Sequence, residues 1–122
     1  MIFKHKGLYL DKSTTHGWGV FISEDIKEGE LIEEAPMPSI IFPGTGVHLD
    51  LSYCMPVLEN DGSFSSGAFF IPTGYSIHLN HSRYHNVDWG CNTKTNISSF
   101  YAIRDIKANE ELFIDYNKWK IQ

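Results

Sequence analysis

The sequence lacks a long apolar run, and this absence excludes a protein that crosses a membrane with an apolar helix. No segment is apolar over enough residues to span a membrane. The N-terminal stretch MIFKHKGLYLDKS starts with basic residues, but it has neither an extended apolar region nor a small-residue cleavage site. We therefore interpret it as ordered chain rather than as a signal peptide, and we expect a protein that is neither membrane-bound nor secreted.

Cysteine is scarce as well. The two cysteines are Cys54 and Cys91, and neither belongs to a Cys-x-x-Cys pair. A structural zinc site needs four ligands, commonly in paired spacings, so we expect no metal of this kind. One disulfide could form, but nothing in the sequence indicates secretion. We expect two reduced thiols in a cytosolic or nuclear compartment.

Basic residues are outnumbered by acidic ones. Lys and Arg number 10 and Asp and Glu number 15, which gives a net charge of −5. This balance argues against a nucleic-acid backbone as a direct partner. It is compatible with a basic peptide, since opposite charges speed encounter, but charge alone favours the simpler interpretation that mild acidity serves solubility. The length of 122 residues is enough for one domain with one core.

Short runs of aromatic and β-branched residues, separated by turn residues, dominate the chain and predict a β-rich fold with little helix. The one fair helix candidate lies near His48–Leu58, where Pro56 would cut it short. The candidate strands are Leu8–Leu10, Gly19–Ser23, Leu31–Glu34, Ser39–Phe42, Ala68–Pro72, Ser98–Arg104 and Leu112–Asp115.

A six-residue phrase occurs twice. Asp25–Glu30 reads DIKEGE and Asp105–Glu110 reads DIKANE, and each copy lies between two candidate strands. We predict two similar tight turns in which Gly29 or Asn109 adopts positive φ.

Three clusters of residues could carry chemistry. They are Gly17-Trp18-Gly19 at the start of a strand, Asn80-His81-Ser82 followed by Asn86, and the stretch from Glu110 to Tyr116. Glycine lets a ligand approach the backbone closely, and Asn and His offer both donors and acceptors. Each cluster alone is explained as well by a strand start, a hydrogen-bonded loop or a core tyrosine.

Together, the order and spacing of these clusters resemble the SET domain of protein-lysine methyltransferases. The resemblance extends from about Gly7 to Trp119, and the short length is similar to that of stand-alone viral and microbial SET proteins. It implies a single SET domain over residues 1–122, with an insert at approximately 44–66. The implied fold has short curved sheets and a C-terminal pseudoknot, which is an exception to the rule against threading.

The resemblance also implies a cofactor, S-adenosyl-L-methionine, and the residues that hold it. The backbone of Gly17, Trp18 and Gly19 would bind its methionine part. Asn80 and His81 would contact it mainly through main-chain groups. Tyr116 matches the family's active-site tyrosine beside the cofactor, and Trp119 would cover the adenine or close the channel.

A channel for the substrate lysine is implied in the same way. Tyr53 matches a second catalytic tyrosine, although its surrounding motif is looser. Tyr75 and Tyr101 could line the channel, and a plain core role for them remains open. Ile114 stands two residues before Tyr116, where the family often has an aromatic residue, so more than one methyl transfer has room. His85 departs from the proline that often precedes the second asparagine.

The activity implied by the resemblance is methyl transfer to a lysine in a basic protein segment, such as a histone or histone-like tail. The location would then be cytoplasmic or nuclear, or the host nucleus for a viral protein. Because no cysteine-rich segment follows Trp119, we expect either this residue or a second subunit in a homodimer to close the site.

Two alternatives differ in class. A SET-fold module could bind peptide without catalysis, although the motif tyrosine argues against this. A metal-binding protein could use His78, His81 and His85 with Cys91, but the His-x-x-His-x-x-x-His spacing matches no common zinc motif.

Overall fold

The computed structural model describes residues 3–15, 17–37, 40–41, 55–58, 64–70 and 73–115. This part of the chain contains eleven strands and a 3₁₀ helix at Gly74–His78. The strands are β1 (Phe3–Lys4), β2 (Leu8–Lys12), β3 (Trp18–Ile22), β4 (Leu31–Pro36), β5 (Ile40–Ile41), β6 (Met55–Leu58), β7 (Phe64–Phe70), β8 (Asn80–His81), β9 (Val87–Asn92), β10 (Ile97–Ala102) and β11 (Glu111–Ile114).

The prediction of a β-rich fold with little helix is confirmed, and every predicted strand overlaps an observed one. The helix candidate near His48–Leu58 is wrong over its described end, because Met55–Leu58 is strand β6 and pairs with β7. Pro56 and Val57 disfavour a helix in that segment. Residues 48–54 and most of the predicted insert at 44–66 lie outside the described residues.

The strands form three sheets, with orders β1-β4-β10-β9, β2-β3-β11-β8 and β5-β7-β6. Strand pairs within them are antiparallel except for β8 with β11, which is parallel. Because β11 lies between β3 and β8, the C-terminal strand joins the first and second motif-bearing segments of the chain.

The core lies on one face of the first sheet. In β10 the residues Ser98, Phe100 and Ala102 are buried, in strict alternation with more exposed neighbours. Directly across the strands, Phe100 is opposite Trp89 on β9 and Glu33 on β4. A carboxylate therefore lies in the same row as two buried aromatic rings.

The repeated phrase forms two similar turns, as predicted. Gly29 has φ of 86° and Asn109 has φ of 70°, both in the left-handed region. The two turns also bind each other, which the sequence analysis did not anticipate. Ile26 and Ile106 form an antiparallel bridge.

The bonds between the two turns are reciprocal. The Ala108 N–H donates to Asp25 Oδ1 at 2.8 Å, and the Glu28 N–H donates to Asp105 Oδ1 at 2.9 Å. Each aspartate at the head of one phrase thus accepts a hydrogen bond from the tip of the other turn.

No helix in the described residues is long and apolar enough to cross a membrane.

Candidate functional site

The Gly17-Trp18-Gly19 segment enters strand β3 with its first two residues open to solvent. Gly17 has φ of 50°, and no heavy atom lies within 4 Å of the position that a Cβ would take. Trp18 is 57% exposed, which is unusual for a residue with a large and mostly apolar side chain. Gly19 is buried, and a Cβ there would lie 2.9 Å from Cδ of Glu111. The segment therefore offers accessible backbone at one end and close packing at the other.

Asn80 connects this segment to the C-terminal strand. Its side chain is buried, and Nδ2 donates to the Trp18 carbonyl and to Glu111 Oε2, both at 3.1 Å. The other oxygen of Glu111 accepts a hydrogen bond from the Ser13 hydroxyl at 2.8 Å. One carboxylate thus holds the β2–β3 connection and β8 in fixed positions around Gly19.

The second motif also clamps β11 through Asn86. The Asn86 backbone N–H donates to the Phe113 carbonyl at 3.2 Å, and the Phe113 N–H donates to Asn86 Oδ1 at 2.8 Å. The Asn86 side-chain amide donates to the Glu111 carbonyl at 2.9 Å. Asn86 is buried, so these bonds are shielded from water and rigidify the junction.

His81 lies at the end of this junction. It is opposite Ile114 in the parallel pairing, and its Nδ1 is 3.8 Å from Asp115 Oδ1. Asp115 is the last described residue, and Tyr116 follows it directly. The predicted site residues Tyr53, Tyr116 and Trp119 lie outside the described residues, so their roles remain predictions.

The three remaining channel residues occupy different places. Ile114 is 3% exposed and packs in the core. Tyr101 lies on the face of the first sheet opposite to that of Phe100, across from Asp88. Burial, and then the negative charge of Asp88, raise the pKa of the Tyr101 hydroxyl above its ordinary value of 10.0.

Tyr75 lies in the 3₁₀ helix, with its ring beneath the ammonium of Lys4 at 5.4 Å from the ring centroid. The described structure therefore brings Gly17–Gly19, Asn80 and His81 together with β11. It places Tyr75 and Tyr101 on separate elements, and their lining of a channel remains a prediction.

The sequence analysis gave no role to two residues that organise the site. Glu111 lay in the stretch from Glu110 to Tyr116 that the sequence analysis singled out, but its contact with Gly19 depends on the pairing of β11 with β3. Ser13 carried no signal, because its contact with Glu111 joins residues far apart in the sequence.

Within the described ranges, no group of three or more His, Cys, Asp or Glu side chains could hold a metal ion. Cys91 is buried on β9, and His78 ends the 3₁₀ helix. The described structure gives no support to the metal-binding alternative.

Comparison with known proteins points to one family. The SET-domain family model matches residues 17–117. The histone-lysine N-methyltransferase of Schizosaccharomyces pombe, H3 lysine-37 specific, is 33% identical over 100 residues. The match spans 82% of this chain and 66% of that protein, slightly less than two thirds of the relative's length.

Solved structures share the fold. The crystal structure of a candidate histone methyltransferase from Plasmodium falciparum has a TM-score of 0.70 at 26% identity, covering 97% of this chain and 99% of that one. A structure of the Chaetomium thermophilum polycomb repressive complex 2 in an autoinhibited conformation, bound to S-adenosylmethionine, has a TM-score of 0.64 at 27% identity. It covers 91% of this chain and 15% of that one. On its motifs, its fold and the match of the family model to residues 17–117, the chain belongs to the SET-domain family.

Proposed function

We propose that this protein is an S-adenosylmethionine-dependent protein-lysine N-methyltransferase that acts on a lysine in a flexible, basic protein segment, such as a histone or histone-like tail. The observation that carries the proposal is that the three motifs meet at one carboxylate. Asn80 bonds both to the Trp18 carbonyl and to Glu111, and Glu111 lies on the strand that leads to Tyr116. The names of the relatives, as histone methyltransferases, support the reaction class.

The residues of the site fit this cofactor. Backbone around Gly17 is open, so a ligand can approach it without meeting a side chain. Asn80 Nδ2 donates to the Trp18 carbonyl and to Glu111. In this proposal the backbone of β8 contacts the cofactor. When bound, the cofactor supplies a methyl group on a positively charged sulfonium. The exposed side chain of Trp18, next to the Gly17 backbone, offers the cofactor an apolar surface.

The protein's own part in the reaction is alignment and control of a proton. A direct displacement gains most from holding the amine and the methyl in line. The substrate lysine must reach its neutral form from a reference pKa of about 10.4, and an apolar, aromatic channel disfavours the ammonium. In this proposal Tyr53 lines that channel and the Tyr116 hydroxyl orients the amine through weak contacts of about 0.5–1 kcal/mol each.

Charge supports a basic substrate. The net charge of −5 favours the encounter with a cationic segment. A histone substrate would place the protein in the nucleus, and the expected homodimer would help to cover the site.

The proposal is tested by mass spectrometry of histone octamers after incubation with the protein and S-adenosylmethionine. We expect methylated lysine, and we expect the cofactor to raise the melting temperature because it binds the native state. Tyr116→Phe should lower turnover by about tenfold or more while cofactor affinity changes little, since only a hydroxyl is removed. Peptide binding without methyl transfer would instead support the non-catalytic alternative. If millimolar cofactor leaves the melting temperature unchanged, the proposal is wrong.

A further inference from the structure

The core contains a carboxylate that the proposed reaction does not use. Glu33 on β4 is 1% exposed and lies in the row of Phe100 and Trp89. Burying a carboxylate costs more free energy than burying an apolar side chain unless hydrogen bonds compensate it. An apolar residue would fill the same place in the core, so the partners of Glu33 should explain its presence.

Those partners all lie at the start of the 3₁₀ helix. Glu33 Oε2 accepts a hydrogen bond from the Tyr75 N–H at 3.0 Å, and Oε1 accepts one from the Ser76 N–H at 3.0 Å. The Ser76 hydroxyl donates to the same Oε1. Gly74 has φ of 75°, and a Cβ on it would lie 2.7 Å from Glu33 Oε2. The carboxylate therefore fixes the first turn of the helix in position and orientation.

This helix leads directly into strand β8. The Leu79 N–H donates to the Ser76 carbonyl at 3.2 Å, and the buried Leu79 side chain packs in the core. Asn80 and His81 follow as strand β8. Only Leu79 separates the helix that Glu33 holds from the residue that bonds to Trp18 and Glu111.

We propose that Glu33 is a positioning residue: it holds the 3₁₀ helix so that Asn80 and His81 lie in register with β11 and face the cofactor. The effect acts through the backbone, since Glu33 bonds to the helix and not to Asn80. This inference rests on the proposed function in so far as β8 binds S-adenosylmethionine. The geometric part, that Glu33 fixes β8, stands separately.

The isosteric variant Glu33→Gln tests it. Glutamine keeps the volume and one oxygen acceptor but places an amide NH₂ against either the Tyr75 N–H or the Ser76 donors, so the helix loses part of its anchor. We expect the dissociation constant for S-adenosylmethionine, measured by calorimetry, to rise about tenfold, the range of a lost charged hydrogen bond. Turnover at saturating cofactor and the Michaelis constant for the peptide should change less than about twofold, because the alignment of bound reactants is preserved.

Ser98→Ala is the matched control. Ser98 is buried on the same face of the same sheet, and its hydroxyl donates to the Ala35 carbonyl at 3.3 Å, away from the helix. This variant should lose stability without loss of cofactor affinity. Ser76→Ala removes the hydroxyl donor alone and should weaken cofactor binding in the same direction by a smaller factor, and it carries the test if Glu33→Gln does not fold.

Amide hydrogen exchange without cofactor separates the two proposals. Faster exchange at Leu79, Asn80 and His81 in Glu33→Gln than in Ser98→Ala supports positioning, even if wild-type protein fails to bind S-adenosylmethionine and the proposed function is wrong. Equal exchange at these amides in both variants overturns the inference. An unchanged dissociation constant in folded Glu33→Gln, when wild type binds the cofactor, also overturns it.

Discussion

Two carboxylates in this fold, Glu111 and Glu33, use the same arrangement at different sites. Each lies on a strand and accepts hydrogen bonds from distant parts of the chain, and a glycine packs closely against each carboxylate. Gly19 faces Glu111, and Gly74 faces Glu33. In both places the glycine permits close approach of backbone to carboxylate.

The two differ in their donors and in their burial. Glu111 is half-buried and bonds to side chains, those of Ser13 and Asn80. Glu33 is fully buried and bonds to the backbone of the 3₁₀ helix as well as to a hydroxyl. Side chains can rotate when a neighbour changes, whereas backbone donors move only with their segment. We infer that the surroundings of Glu111 adjust more readily than those of Glu33.

Gly74→Ala should have the largest effect, because it combines two penalties. The positive φ of Gly74 strains any other residue, and the new Cβ would collide with the Glu33 carboxylate, which could move away only by breaking its hydrogen bonds to the 3₁₀ helix. We expect a loss of roughly 2–4 kcal/mol in the free energy of unfolding, measured by urea denaturation. Gly29→Ala is the matched control, since its φ of 86° is equally strained but nothing lies within 4 Å. It should lose only about 1 kcal/mol. Equal losses in both variants would mean that the collision with Glu33 is absent.

Gly19→Ala should have an intermediate effect on stability and a specific effect on the site. A Cβ here meets the Glu111 carboxylate without backbone strain, so Glu111 can rotate away. Rotation would break its bonds to Ser13 and Asn80, with a loss of roughly 1–2 kcal/mol. Nuclear magnetic resonance of the Asn80 side-chain amide should report the broken bond. An unshifted amide resonance together with wild-type stability would contradict the predicted rearrangement.

Tyr101→Phe should have the smallest effect on stability. Tyr101 lies outside both carboxylate sites. Its hydroxyl has a pKa raised by burial and by Asp88, so the folded state favours the protonated form. The contribution of this hydroxyl to the free energy of unfolding is fully present below 10.0, the ordinary pKa that applies to the unfolded chain. It is lost as the pH rises through the higher pKa of the folded state. The melting temperature, measured between about pH 8 and pH 11, should therefore fall more steeply with rising pH for wild type than for Tyr101→Phe. Parallel curves would contradict the raised pKa.

The sequence predicted the strands whose residues alternate or favour β-structure by themselves. Strand β9 was missed because Asp88, Gly90 and Asn92 disfavour strands, and its pairing with β10 overrides that local preference. The helix at Gly74–His78 was missed because its first turn is held by Glu33, more than forty residues earlier.

The sequence anticipated which residues of the candidate site lie together only in part. Local motifs with a family resemblance gave Gly17–Gly19, Asn80 and His81, which the fold brings together. Glu33 could not be found in this way, because a glutamate in a strand of the sequence is expected to face solvent. Its burial depends on donors supplied by tertiary structure.

The paired turns have a consequence for the folding of the chain. Ile26 and Ile106 are about 80 residues apart, and closing so long a loop has an entropic cost that is recovered only when both turns are present. Because Asp25 and Asp105 each supply an acceptor to the opposite turn, neither turn reaches its full set of hydrogen bonds alone. Contacts of such long range slow folding. We therefore expect the two turns to form and to open together, as one cooperative unit.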